Sequence, residues 1–448
     1  VYGAKGFRTQ NLDAMASEGM KFTDFYVGSP VCSPSRAALL TGCYPQRVGI
    51  PGVLFPERLN TEWDPEQRRT KTGINPNETT MAEMLKANGY ATGVFGKWHL
   101  GHHKQFLPLQ QGFDEYYGLP YSNDMRPGRN AKTAKSPYPG LPMMNGNEVD
   151  HFMNDDQSML TKEYTEKAVD FIKRNKDNPF FVYLPHSMPH IPLYASEKFN
   201  GQSEKGIYGD VIEEIDWSVG QINKVLKDLD LEDNTLVIFT CDNGPWLIFG
   251  EHGGSARPLR EGKFTTFEGG QRVPCIMKWP NMIAKASVTS EMASTIDLLP
   301  TIAAITGSDL PQNKIDGLDI SGLLSGIETT SPRDEFFFYK GWQLEAIRSE
   351  NWKLHLPHGY SHVIKSDSGN VYGMENIKSE IELSLFDLSK DVGETKNVAE
   401  QYPEVVKSLL QKIEAKIEEL GDDEASGSEK RPSGWQKEFE AWPFENGV

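Results

Sequence analysis

The stretch Cys32-Ser33-Pro34-Ser35-Arg36, running into Ala37-Ala38-Leu39-Leu40-Thr41-Gly42, sets a potential nucleophile four residues before a planar cation. Ser33 reads as a helix cap, Pro34 as the first helical residue and Gly42 as the stop. The free N–H groups of such a first turn favour an anion and lower a thiol pKa. Arg36 adds a fork of donors suited to a tetrahedral oxyanion. A cysteine at a helix start, taken alone, is more often a small buried residue.

Further chemistry-bearing residues lie in separate strings. Asp242-Asn243 supplies two hard oxygen donors on a loop ending at Gly244, and such donors suit Ca²⁺ or Mg²⁺ better than zinc. Alone, Asp-Asn-Gly is a common turn. Lys97 and His99, in Gly-Lys-Trp-His-Leu-Gly, face the same way if the segment is extended. His186 and His190 have the spacing of a helical zinc pair, but Pro185 and Pro189 argue against a helix. Lys263 lies in Gly-Lys-Phe-Thr-Thr-Phe-Glu-Gly-Gly, whose last two glycines permit close backbone approach. Tyr121-Ser122-Asn123-Asp124 follows Gly118-Leu119-Pro120, with Arg126 just beyond.

These strings need a scaffold, and the pattern supplies one. Thr80 and Glu83 have capping-box spacing for a helix over 80–88, stopped by Gly89. Strands are predicted over 90–95, 180–184 and 235–240, and helices over 162–176 and 208–229. Alternating strand and helix implies parallel strands with crossover helices, and the strings around Lys97, His190 and Asp242 each follow a strand, where open α/β sheets bind ligands. After about residue 330 the pattern changes to short antiparallel strands over 335–340, 344–348, 352–356 and 383–387. A helix follows over 403–420, then an acidic, Ser/Gly-rich loop or linker over 421–434. Trp435, Phe439, Trp442 and Phe444 are expected to pack back on the body. The division is a catalytic domain over 1–330 and a C-terminal α+β subdomain over 331–448.

At 448 residues, the chain can bury one large core and a smaller one. A net charge of −17 argues against a nucleic-acid partner, yet leaves room for a local cationic pocket. No apolar run approaches a membrane span. Four cysteines without a C-x-x-C pair are too few for a disulfide scaffold and leave the redox compartment open.

Cys-Ser-Pro-Ser-Arg followed by Leu-Thr-Gly resembles the signature of the type I sulfatases, C-x-P-S-R-x-x-x-L-T-G, at every fixed position. The strings around Lys97, Ser122, His190, Asp242 and Lys263 resemble further motifs of that family, including its arylsulfatase A-like members, in family order. The resemblance implies the alkaline-phosphatase-like three-layer α/β sandwich with a large mixed, mostly parallel sheet and a smaller C-terminal antiparallel subdomain. It implies that Cys32 is oxidised to formylglycine by a maturation enzyme. Hydrated formylglycine would offer one hydroxyl to sulfur, and His99 would deprotonate the other to expel sulfate. His190, with Lys263, would protonate the leaving alcohol, while His186 stays structural. Arg36, Lys97, Lys263 and Ser122 would hold the sulfate, with Asn123, Asp124 and Arg126 near the leaving group. Asp242 and Asn243 match one metal-ligand pair, for Ca²⁺ or else Mg²⁺. The family's other pair, Asp-Asp on its first strand, falls before Val1, and Asp13 and Asp24 are poor replacements. Half the metal site is thus expected to be absent from this sequence.

The expected substrate is a carbohydrate sulfate, with Tyr339, Trp342, His355 and His358 as candidate sugar contacts. The resemblance implies a periplasmic or extracellular protein. Two other readings stand beside it. A phosphatase or phosphodiesterase of the same superfamily would prefer an aryl phosphate with zinc. A non-catalytic sulfated-glycan binding protein would bind without releasing sulfate.

Overall fold

The computed structural model describes residues 2–56, 70–127, 138–153, 155–366 and 372–435. Its central layer forms where the sequence alternates strand and helix. The strand Ala91–Phe95 lies between Glu115–Gly118 and Phe180–Tyr183 and runs parallel to both. Pro142–Asn145 and Glu148–Phe152 extend this sheet antiparallel. A second ladder orders Ser287–Thr289, Met20–Phe22, Cys275–Lys278 and Val237–Thr240, its first pairing parallel and the others antiparallel.

Helices cover both faces because successive strand side chains point opposite ways. Val94 shares a core with Ala37, Leu40, Met81, Leu85 and Leu298 from the helices Cys32–Thr41, Met81–Ala87 and Leu298–Thr306. Its neighbour Phe95 instead meets Phe171 of Leu160–Arg174 and shares a core with Val211 and Ile215 of Gly206–Asp228. This is the expected helix–sheet–helix sandwich with mixed strands.

Local signals explain most helix ends. Thr80 Oγ1 accepts from Glu83 N at 3.1 Å while Glu83 Oε2 accepts from Thr80 N at 2.7 Å, the capping box its spacing predicted. Gly42 ends the Cys32 helix at φ 66°, where a side chain would be strained. The Ser33 cap is a correction. The helix begins at Cys32, after the extended Val31, and has no side-chain cap. Ser33 is fully buried, and its Oγ accepts from Leu54 N at 3.1 Å instead. Tertiary demand for an acceptor there outweighs local capping.

Beyond residue 330, Glu335–Lys340, Gln343–Ser349, Trp352–His355 and Ser384–Asp387 form an antiparallel sheet in that order. Pro403–Leu420 packs on its core through Leu409, Ile413 and Leu420. A hairpin of His358–Lys365 and Met374–Ile381, not foreseen, pairs separately. The segment read as a loop or linker over 421–434 is a packed loop. Arg431 binds Glu78 through two 2.7 Å bonds, and its N donates to Arg47 O at 2.7 Å. Trp435 pairs with Thr72 and is 49% exposed, so its ring contributes little to the core. Phe439, Trp442 and Phe444 lie outside the described residues.

An ionic network joins the C-terminal sheet to the sandwich. Lys353 Nζ donates to Glu268 Oε1 at 2.9 Å and lies 3.0 Å from Glu394 Oε1. Arg272 and Arg348 pair with Asp24, and Tyr26 Oη donates to Glu268 Oε2 at 2.7 Å. Here the sugar-contact expectation needs correcting. Tyr339, His355 and His358 are buried in this layer. His355 Nε2 donates to Glu394 Oε1 at 2.8 Å and its ring faces His358 Nε2 at 3.1 Å, so their polar atoms serve the interface. Trp342 is half-buried under the Lys430 ammonium, 3.3 Å from its ring centre.

Candidate active site

Loops at the carboxyl ends of three strands bring the strings together. They follow Ala91–Phe95, Phe180–Tyr183 and Val237–Thr240. Cross-bonds fix them to one another. Lys97 N donates to Pro185 O at 2.8 Å, and His99 N to Pro120 O at 3.1 Å. Gly244 N donates to Gly270 O, and Lys263 N to Pro245 O, both at 2.9 Å. A Cβ on Gly244 would stand 1.9 Å from Gly269 O, and one on Gly270 would stand 1.9 Å from Thr265 O. Backbone therefore packs on backbone here, as the paired glycines suggested, and the metal-ligand candidates come to lie beside the Lys263 loop.

Three cations converge near Cys32, which is 4% exposed at the first position of its helix. Arg36 Nη2 and Nε donate to Asp242 Oδ2 at 2.8 and 3.0 Å, and Arg36 Nη1 donates to Lys97 O. Lys97 Nζ donates to Ser122 Oγ at 3.2 Å. Lys263 Nζ lies 4.6 Å from the centre of the Trp246 ring. All three cations are buried. Burial, then the charges of Arg36 and Lys263, pushes Lys97 below its usual pKa, with Cys32 and Asp242 opposing. Burial alone would raise Asp242, but Arg36, Lys97 and Lys263 outweigh it and hold the carboxyl at about 2. The balance leaves surplus positive charge, which is what an anionic ligand requires.

The two histidines are held with one ring nitrogen free. His99 has φ 63°, a strained value for this residue type, and its Nε2 donates to Leu54 O at 2.9 Å. Its Nδ1 is buried without a partner. Burial, then Lys97 and Arg36, holds His99 well below its usual pKa, so the imidazole is neutral with an acceptor at Nδ1. His190 Nδ1 donates to Ile191 O at 2.8 Å, leaving Nε2 as its other nitrogen. Burial, then Lys263 and Lys97, keeps His190 neutral as well. His186 instead bonds Ser218 Oγ at 3.0 Å.

A family model described as Sulfatase matches residues 1–308, and one described as the C-terminal region of aryl-sulfatase matches residues 331–438. The chain belongs to the sulfatase family. It is 38% identical to arylsulfatase A of Homo sapiens over 444 residues, covering 93% of this chain and 85% of the relative. It is 41% identical to N-acetylgalactosamine-6-sulfatase of Sus scrofa over 371 residues, covering 80% of this chain and 68% of the relative. Among solved structures, the PsFucS1 sulfatase of Pseudoalteromonas sp. superposes with a TM-score of 0.78 at 27% identity, covering 92% of this chain and 85% of that one. Ps i-CgsB, solved in complex with k-i-k-neocarrahexaose, superposes with a TM-score of 0.75 at 27% identity, covering 97% of this chain and 91% of that one. The chain is a sulfuric ester hydrolase, and its reaction is hydrolysis of a sulfate ester.

In this sulfatase the donor set suits a hard cation. Asn243 Nδ2 donates to Gly244 O at 2.9 Å, while its Oδ1 is buried without a partner. That orphaned oxygen beside the ionised Asp242 fits Ca²⁺ or Mg²⁺. Among the described residues no three His, Cys, Asp or Glu side chains cluster as a metal site, so Asp242 and Asn243 would supply only part of a shell. Asp24, a poor replacement by sequence, is taken up by Arg272 and Arg348, and Asp13 lies within the helix Gln10–Glu18.

The Ser122 loop divides its work. Ser122 touches Lys97, and the Asp124 charge acts on His99. Asn123 lies under the His190 loop, donating to Gln157 Oε1 at 3.0 Å and to Pro192 O at 3.3 Å. Arg126 is half-buried beside the limit of the described loop. Sequence reasoning missed Trp246 and Gln157. Trp246 follows directly on the Asp-Asn-Gly-Pro string, which was the available signal; Gln157 had none.

Proposed function

We propose that this sulfatase removes sulfate from a sulfated oligo- or polysaccharide, with residue 32 acting as formylglycine and Ca²⁺ at Asp242 and Asn243. The observation that carries the reading is the surplus of buried positive charge around Cys32: Arg36, Lys97 and Lys263 against Asp242, which is bonded to Arg36. Preorganised charge of this kind is usually the largest catalytic term for a reaction that builds negative charge. The carbohydrate part rests on relatives: one acts, by its name, on N-acetylgalactosamine 6-sulfate, and one holds a neocarrahexaose.

When present, the aldehyde hydrate at position 32 supplies the attacking hydroxyl, and the metal supplies Lewis-acid polarisation of a sulfate oxygen. The chain's own residues do the rest. Arg36, Lys97 and Lys263 hold the sulfate oxygens, with Ser122 orienting Lys97. Neutral His99 accepts a proton at Nδ1, since Leu54 O fixes its Nε2–H. His190 delivers a proton from Nε2 to the leaving oxygen. It is neutral in the free site, so the charge of the bound sulfate must offset Lys263 and Lys97 to let it protonate. Asn123, Asp124 and Arg126 lie toward the leaving group. A maturation enzyme for Cys32 and a periplasmic or extracellular location follow from family resemblance; among the described residues no helix is long and apolar enough to cross a membrane.

The test is sulfate release from a panel of sulfated oligosaccharides, with intact mass read at residue 32. Release that requires the formylglycine mass and Ca²⁺ is expected. Faster turnover of an aryl phosphate with zinc would replace the reading by a phosphatase, and tight sugar binding without release by fully modified protein would replace it by a binding protein.

A further inference from the structure

We infer that the aromatic row Trp246, Phe249 and Tyr372 is the floor on which the sugar bearing the leaving oxygen lies; this rests on the carbohydrate reading above. The row starts at the reacting groups. The Trp246 ring is 5.5 Å from the His190 ring and 4.6 Å from Lys263 Nζ. Phe249 follows edge-to-face at 4.8 Å, and Tyr372 edge-to-face with Phe249 at 4.9 Å. His252 flanks Tyr372 at 5.5 Å.

The row spans both halves of the molecule. Trp246 and Phe249 come from the segment after Asp242-Asn243, and Tyr372 from just before the hairpin strand Met374–Ile381. Their meeting is built into the backbone. Gly250 has φ 53°, and a Cβ there would stand 2.6 Å from Tyr372 O, so the hairpin seats directly on this turn.

Exposure separates the row from core packing. The aromatic cluster Tyr26, Phe336 and Phe338 is fully buried. Trp246 and Phe249 are half-buried, and Tyr372 is 37% exposed. Rings that brace each other edge-to-face and still keep open surface give a rigid apolar wall of alternating ring faces and edges at little entropic cost. The C–H faces of a pyranose match such a surface, while its hydroxyls stay free for water or polar neighbours. The direction is set by chemistry. An oxygen within reach of His190 Nε2 places the ring attached to it toward Trp246, and further sugars toward Phe249 and Tyr372. A small aryl sulfate would reach Trp246 and stop there.

Phe249→Leu and Tyr372→Ala remove the two rings of the row that lie beyond Trp246 from His190 and Lys263. Expected is a roughly tenfold fall in kcat/KM on a sulfated hexasaccharide, mainly through KM, with turnover of 4-nitrophenyl sulfate held within about twofold. Tyr372→Phe, which keeps the ring, retains activity on both, and melting curves report the fold. Equal losses on both substrates, or no loss on the hexasaccharide, would overturn the platform while leaving the carbohydrate reading intact. Wild-type protein that turns over the aryl sulfate but no sulfated sugar would overturn the carbohydrate reading, and the platform with it.

Discussion

Two clusters in this molecule each gather three cations, and they are balanced differently. Between the sandwich and the C-terminal sheet, Arg272, Arg348 and Lys353 meet Asp24, Glu268 and Glu394. In the candidate site, Arg36, Lys97 and Lys263 are answered by Asp242, with Asp124 near His99. Matched charge satisfies its own hydrogen bonds and fixes one geometry. Unmatched charge keeps unused attraction for a ligand, and burial, reinforced by that charge, depresses Lys97 and keeps His99 and His190 neutral. The difference separates what these cations do: one set holds two parts of the chain together, and the other awaits a dianion.

The largest effect is expected where balance is broken. Lys353→Met strands Glu268 and Glu394 in the interior, and should cost about 3–5 kcal/mol in urea unfolding. A change under 1 kcal/mol would mean that the network is not structural. The matching change in the site should do the opposite. Lys97→Met should lower kcat/KM for an aryl sulfate by about 10²–10³ while leaving the melting temperature unchanged or higher, because a disfavoured buried charge is removed. A marked loss of stability would place Lys97 with the structural set.

A smaller effect sharpens the interface side. Burial, partly offset by Lys340 and Thr266, raises Glu345 to about 7 from an ordinary 4.5. A raised carboxyl contributes stability that is full below 4.5 and lost as pH rises through about 7. Glu345→Gln should therefore be more stable than wild type at pH 8, by at most about 3 kcal/mol, and the gap should close toward pH 4.5. Melting curves across pH check this; a gap that does not depend on pH would refute it. Smallest is a shift in a profile. Because His99 is depressed, the acid limb of kcat/KM should fall well below the ordinary histidine value of about 6.5. Activity lost with a midpoint near that ordinary value would show that neither burial nor the surplus charge depresses His99.

What the sequence revealed follows the same line. The Pro403–Leu420 helix and the four C-terminal strands were legible because apolar period alone decides them. The strings of Cys32, Lys97, His99, Asp242 and Lys263, which the structure brings together, were legible because the residues of each are close in sequence; those of Lys97, His99 and Asp242 also follow a strand. Ser33 was misread because its hydroxyl answers Leu54, distant in sequence. His355 and His358 were misread because they are held by Glu394 and Glu345, which come from other segments. The hairpin at 358–381 escaped notice because its strands mix exposed Ser361, Lys365, Lys378 and Glu380 with little apolar alternation. Trp246 takes on meaning only once the His190 and Lys263 loops converge on it.

Arg47, six residues past the end of the Cys32 helix, carries one more consequence. It is fully buried and is held by Asp316, Glu419 and Glu429. All three are synthesised hundreds of residues after Cys32. As the chain emerges from the ribosome, the ion pairs of Arg47 cannot all form until residue 429 has been made. The segment that follows Cys32 is thus fastened by partners made long after it, and its ionic anchor is complete only once they have been added.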